Sequence, residues 1–241
     1  MRLPSLISLV LLALVWLAPA PLRAAADPDW TSIVGGYPTI GSIPFQQELA
    51  IMHWLQDTRT PVDVARAGAE SDPDLALFLD ALGYGGDPSA YPGTVTLLKQ
   101  AKRDLKPLVA DLKQHFRRAR PYVTDPTLAP ALAEDDKYSF PSKHAALGNL
   151  FAALLIRLDP GDRDILAREG KLIGDDRVMA GLHWPSDDLA GQGLGKAFAD
   201  YWLGLPGNGQ MLQDAVGEWS GPRVRTAHVT SRADRDPRPP C

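Results

Sequence analysis

Almost every patterned stretch of this chain repeats its apolar residues at helical rather than strand spacing. Between residues 94 and 118, Leu98, Ala101, Leu105, Leu108, Val109 and Leu112 fall on one stripe, the recurrence of an amphipathic helix. Pro107 within it predicts a kink, because proline lacks the backbone donor and crowds the preceding turn. Ser142 is placed to cap an apolar helix over Lys143–Leu158, which Pro160-Gly161 ends. Ser71-Asp72-Pro73 opens a helix that Gly83 stops, residues 164–179 form another, and residues 187–203 form the last major one. In that last helix Gly191 and Gly195 share a face. Each glycine costs about 1 kcal/mol in a helix interior, so the pair predicts close approach of a neighbouring helix. No run of alternating β-branched residues stands between turn signals. The expected fold class is all-α, a single helical domain over residues 48–219.

The flanks read differently. Arg2, an apolar run from Leu6 to Ala18 and the small residues Ala24, Ala25 and Ala26 have the layout of a secretory signal peptide over residues 1–26. That run is shorter than the roughly 20 apolar residues of a membrane span, and Pro19 and Pro21 interrupt its end. The longest apolar stretch beyond it, residues 145–156, contains Asn149. The mature chain is therefore expected to be exported, without a membrane span. Residues 27–47 are Pro/Gly-rich and read as an extended segment, residues 83–93 as a loop, and residues 220–241 as a disordered basic tail. Cys241 has no partner in the chain for a disulfide. The formal net charge of −4 over 241 residues argues against a nucleic-acid partner, which needs a concentrated basic face.

Three polar clusters interrupt the helical pattern. In KQHFRRARP, Lys113 and Arg120 stand seven apart, which puts them on one helix face roughly 10 Å apart along the axis. In FPSKHA, Ser142 caps a helix whose first-turn N–H groups point outward, a seat suited to phosphate, and His144 lies in that turn beside Lys143. In DRVMAGLHWPSD, Arg177, His183 and Asp187 combine a guanidinium with an imidazole whose tautomer a carboxylate can fix. Taken singly, the three are a solvated basic face, a capped helix and a salt-bridged histidine. His53, His115 and His228 carry no such context.

Taken together, Lys-x6-Arg-Pro, Pro-Ser-x-His and Arg-x5-His-x3-Asp resemble the three-part signature of the type-2 phosphatidic acid phosphatase superfamily. Lys113, Arg120, Pro121, Pro141, Ser142, His144, Arg177, His183 and Asp187 carry the match. Within that superfamily, an exported helical chain is similar to the bacterial class A non-specific acid phosphatases. The resemblance implies a helical bundle of the acid phosphatase/vanadium haloperoxidase type and hydrolysis of small phosphomonoesters in the periplasm. It also implies assembly into homo-oligomers. Two positions depart from the family's pattern: Lys143 stands where the family has Gly, and Asp176 where a Ser often precedes the arginine.

The resemblance also implies roles. Lys113, Arg120 and Arg177 would neutralise the phosphoryl oxygens, with Ser142 and the backbone near Lys143 adding hydrogen bonds. His183 would be the nucleophile, Asp187 its orienting carboxylate, and His144 the general acid and base. With three fixed cations no metal or cofactor is required, and the sequence holds no metal-ligand spacing. A neutral His183 beside a protonated His144 predicts a bell-shaped, acid-side pH profile. The same signature serves the vanadium-dependent haloperoxidases, and an exported, non-catalytic anion-binding protein is the other alternative.

Overall fold

A computed structural model describes residues 27–135 and 137–220. Among these residues there are ten α-helices and no strand. They are α1 (Trp30–Val34), α2 (Ile43–Thr58), α3 (Pro61–Ala69), α4 (Leu75–Ala81), α5 (Pro92–Phe116), α6 (Pro121–Thr124), α7 (Lys143–Leu158), α8 (Arg163–Met179), α9 (Pro185–Leu203) and α10 (Asn208–Val216). The expected signal peptide, and the tail beyond Ser220, lie outside the described residues. The segment 27–47, read as extended, holds α1 and the start of α2. Asp29 caps α1 by accepting from Thr31 N and Ser32 N, and Ser42 caps α2 by accepting from Phe45 N. No described helix is long and apolar enough to cross a membrane.

Apolar burial divides into two cores. The main one packs α4, α5, α7, α8, α9 and α10 around Phe78, Leu105, Leu150, Phe151, Ile173 and Trp202. The smaller one joins Phe45, Met52, Ala67, Val178, Met179 and Trp184, with the Phe45 and Trp184 rings 5.4 Å apart. Helix α8 passes from one core to the other just before Arg177, and the chain returns to the main core through α9. The polar residues around these crossings lie at the seam.

Helix α7 is the central element, and glycine lets its neighbours come close. A Cβ on Gly195 would stand 2.2 Å from Ala146 O, and one on Gly191 2.5 Å from Ser142 O. On the other side Gly148 and Gly170 face each other, with a Cβ on either lying 2.4 or 2.6 Å from the other's carbonyl oxygen. The close approach expected at Gly191 and Gly195 is thus present, and it fixes where the first turns of α7 and α9 meet. Helix α5 runs unbroken through Pro107 and ends where Arg117 turns left-handed (φ 50°). Beyond that turn Arg118 and Arg120 are buried, while Ala119 between them is exposed.

Candidate active site

The site forms where the end of α5, the first turn of α7, the last turn of α8 and the approach to α9 converge. Ser142 N donates to Asp187 O at 2.9 Å, tying the start of α7 to the first turn of α9. Ser142 Oγ is buried and accepts from Ala145 N at 3.3 Å. The N–H groups of Lys143 and His144 have no acceptor among the described residues, as expected at a helix start.

His183 is held from both sides. Its Nε2 lies 3.0 Å from Arg120 Nη1, and its Nδ1 3.1 Å from Asp187 Oδ2. A guanidinium only donates, so Nε2 is the acceptor and bears a lone pair, while Nδ1 carries the proton and donates it to Asp187. Burial, reinforced by the charges of Arg120 and Lys113, holds the imidazole well below its ordinary range, so the ring is neutral. Asp187 also accepts from Trp184 N at 2.9 Å and Arg118 Nη1 at 2.7 Å. Burial pushes this carboxyl up, and the Arg118 charge pulls against it.

Arg120 donates to Leu182 O at 2.7 Å and Lys137 O at 2.8 Å, and its Nη2 pairs with Asp135 at 3.0 Å. Lys113 donates to Tyr138 O and, at 2.8 Å, to Ser139 O, which leaves one ammonium hydrogen uncommitted. Burial, then Arg120, pushes its pKa down to about 7. Arg177 donates to Ala67 O at 2.8 Å, while its Nε is buried without a partner, a donor that an anion would satisfy.

His144 Nε2 lies 3.0 Å from Ser71 O. A carbonyl only accepts, so this nitrogen carries hydrogen and Nδ1 is the free face. Desolvation, then Arg177, lowers this imidazole to about 3. Its charge would also act on His183, so the two imidazoles share one environment with Arg120 and Arg177. Among the described residues, no three His, Cys, Asp or Glu side chains gather as a metal ligand set.

In the cationic cup so formed, hydrogen bonds join Arg120, His183 and Asp187 with Ser142, while the charges of Lys113, His144 and Arg177 bear on His183 and that of Lys143 bears on Lys113 and His144. Asp176 is turned away: it holds Arg66 in a two-point contact of 2.6 and 2.7 Å, so its charge is matched outside the cup. Two participants escape the sequence motifs. Arg118, read as part of a solvated face, is 5% exposed and pairs with both Asp187 and Glu48. Glu48 also accepts from Ser186 N at 2.6 Å. The available signal is a lone carboxylate on the apolar face formed by Phe45, Met52 and Leu55, since a buried charge needs a partner.

A family model described as "PAP2 superfamily" matches residues 105–207. The chain is 29% identical over 164 residues to a "Non-specific acid phosphatase" of Providencia stuartii, a match covering 62% of this chain and 64% of that protein. It is 38% identical over 127 residues to a "Non-specific acid phosphatase" of Salmonella typhimurium (strain LT2), covering 49% and 50%. The chain therefore spans about half to two-thirds of the length of these curated relatives. Among solved structures, a transmembrane PAP2-type phosphatidylglycerolphosphate phosphatase from Bacillus subtilis shares the fold. It has a TM-score of 0.50 at 22% identity, over 71% of this chain and 89% of that one.

Proposed function

We propose, on the match of residues 105–207 to the PAP2 superfamily model, that the chain is a member of that superfamily and an exported acid phosphatase acting through a phosphohistidine. The observation that carries this reading is the clamping of His183: Asp187 holds the proton on Nδ1, and the lone pair on Nε2 faces Arg120. An incoming phosphoryl group would take over the Arg120 hydrogen bond and leave that lone pair free to attack. The uncommitted Lys113 hydrogen, the orphan Arg177 Nε and the open N–H groups of Lys143 and His144 would receive its oxygens. These donors are fixed before substrate arrives, so little reorganisation is needed as charge develops.

In the first step the bond from His183 Nε2 to phosphorus forms as the ester P–O bond breaks, the electron pair leaving with the alcohol oxygen. His144 Nδ1 would give that oxygen a proton, then take one from the water that displaces His183 and releases inorganic phosphate. A His144 lowered to about 3 is a poor proton carrier before substrate binds. A bound phosphate dianion opposes the surrounding cations and raises it, so protonation is coupled to occupancy and favoured on the acid side. Export rests on the leader pattern of residues 1–26, with the periplasm as destination; the self-association implied by the family resemblance is part of the same proposal.

The test is trapping. After acid-free quenching with an aryl phosphate, mass spectrometry should find a phosphoryl adduct on His183. His183→Ala should lower turnover by on the order of 10³-fold or more, as loss of a nucleophile does. An unmodified His183, or substantial turnover by the variant, overturns the assignment.

A further inference from the structure

Helix α2 reaches His183 through a buried chain of charges. Glu48, 6% exposed, lies on that helix and outside the three motifs. Its Oε2 accepts from Arg118 Nη2 and its Oε1 from Ser186 N, both at 2.6 Å. Arg118 Nη1 in turn donates to Ser186 Oγ and to Asp187 Oδ1, both at 2.7 Å. Asp187 Oδ2 then accepts the His183 Nδ1 proton at 3.1 Å. Glu48 and Arg118 thus hold the backbone and the hydroxyl of Ser186, the residue immediately before Asp187. The Phe45 and Trp184 rings, 5.4 Å apart, pack α2 against the same stretch of chain.

Arg118 pins Asp187, but a guanidinium at this distance in a buried site also cancels much of the carboxylate's field. The His183 ring already faces the positive charges of Arg120, Lys113 and Arg177. As the Nε2–P bond forms and the ester P–O bond breaks, the ring gains positive charge while Nδ1 keeps its proton. An imidazole set between cations and a neutralised Asp187 would resist that change. With the Glu48 carboxylate in place, Glu48, Arg118 and Asp187 together carry one net negative charge, and without it they carry none. Glu48 therefore offsets the very cation that fixes Asp187.

We propose that Glu48 is a positioning residue for His183: it holds Arg118 and Ser186 so that Asp187 stays fixed and keeps its negative charge for the ring. The inference rests on the phosphohistidine reading for its effect on rate, but not for its effect on the ring of the unliganded protein. A Glu48 that served folding alone would act only through stability, so substitutions that separate charge from stability decide the matter.

Glu48→Gln removes the charge and keeps the shape. Glu48→Asp keeps the charge but draws it back by one methylene. Met52→Ala opens a cavity under the same helix, where Met52 is 2% exposed, and leaves every charge in place. In rapid-quench experiments with an aryl phosphate, Glu48→Gln should form the phosphoenzyme on the order of tenfold more slowly, the scale of one charge withdrawn from a buried network. Inorganic phosphate should inhibit that variant no less tightly than wild type, because the cup's cations are untouched. Met52→Ala should melt lower yet react at the wild-type rate. In proton NMR of the unliganded protein, the His183 Nδ1–H resonance is identified by its loss in His183→Ala. It should move upfield in Glu48→Gln, as the hydrogen bond to Asp187 weakens, and stay in place in Met52→Ala. Glu48→Asp should fall between wild type and Glu48→Gln in both measurements, and it carries the test if Glu48→Gln does not fold. A resonance that neither Glu48 substitution moves, or equal slowing in Met52→Ala, overturns the proposal even where the wild type forms a phosphohistidine. A resonance that moves as expected, in a protein whose wild type forms no phosphoenzyme, supports the role of Glu48 and overturns the phosphohistidine reading.

Discussion

Arg118 connects the protein's stability to the position of His183. Its guanidinium spans Glu48 at 2.6 Å and Asp187 at 2.7 Å, and it lies over the rings of Tyr37 and Trp184 at 4.7 and 5.1 Å. Removing it leaves two nearly inaccessible carboxylates facing each other without a cation. Breaking one partner from a buried ion pair costs about 3–5 kcal/mol, so Arg118→Met should lower unfolding free energy in urea by that order. The neighbouring Arg117→Met, on an exposed side chain, should stay within about 0.5 kcal/mol. Similar small losses in both would show that the bridge does not hold the site. The residue types, order and spacing of the motifs name the groups that hydrogen bonds join here, Ser142 to Asp187 and Arg120 to His183 to Asp187, because such contacts restrict those positions to a few side chains. The same pattern cannot distinguish Arg117 from Arg118. That difference arises from one left-handed backbone turn at Arg117, which no pattern of side-chain types records.

Among the elements, α7 is the most legible, since a Ser cap and a Pro-Gly stop bracket an apolar run and its bounds follow from them. Residues 27–47 are less so. Helix α1 is five residues long and owes its existence to the Asp29 cap and to Trp30 packing on Phe198 and Tyr201; local propensity carries little of that information. Helix α9 offers a test of sign. Gly193→Ala meets nothing within 4 Å and should stabilise by about 0.5–1 kcal/mol, the helix-propensity gain alone. Gly195→Ala gains the same propensity but pushes a methyl to 2.2 Å from Ala146 O and 2.9 Å from Leu150 N. Backbone cannot yield as a flexible side chain does, and overpacking of this kind costs about 1–3 kcal/mol. Thermal melts should therefore move in opposite directions. A gain in both would mean that α7 and α9 can slide apart without cost, and the register between Ser142 and Asp187 would lose its basis.

For the molecule as a whole, the gathering of Lys113, Arg120, Arg177 and the two imidazoles is a concentration of like charge that folding must enforce. Burial and neighbouring cations hold His183 well below its ordinary range and His144 at about 3. As pH falls below 6.5, the unfolded chain takes up these protons and the folded chain does not, so folded stability is lost through that window. Lys113, at about 7 against an ordinary 10.5, acts in the same direction: between those values the unfolded chain holds more protons, and stability falls as pH is lowered. A bound dianion opposes the neighbouring cations, so it raises all three groups and binds more tightly as they protonate. Sulfate, which keeps its two charges throughout this range, should therefore raise Tm more at pH 5 than at pH 8, relative to chloride at matched ionic strength. Tenfold tighter binding is about 1.4 kcal/mol, or roughly 3–6 °C for a domain of this size. In His144→Gln the pH 5 increment should shrink, because one of the protons that sulfate recruits has gone. An increment that is equal at both pH values, or larger at pH 8, would mean that the cup does not gather its cations around a single anion.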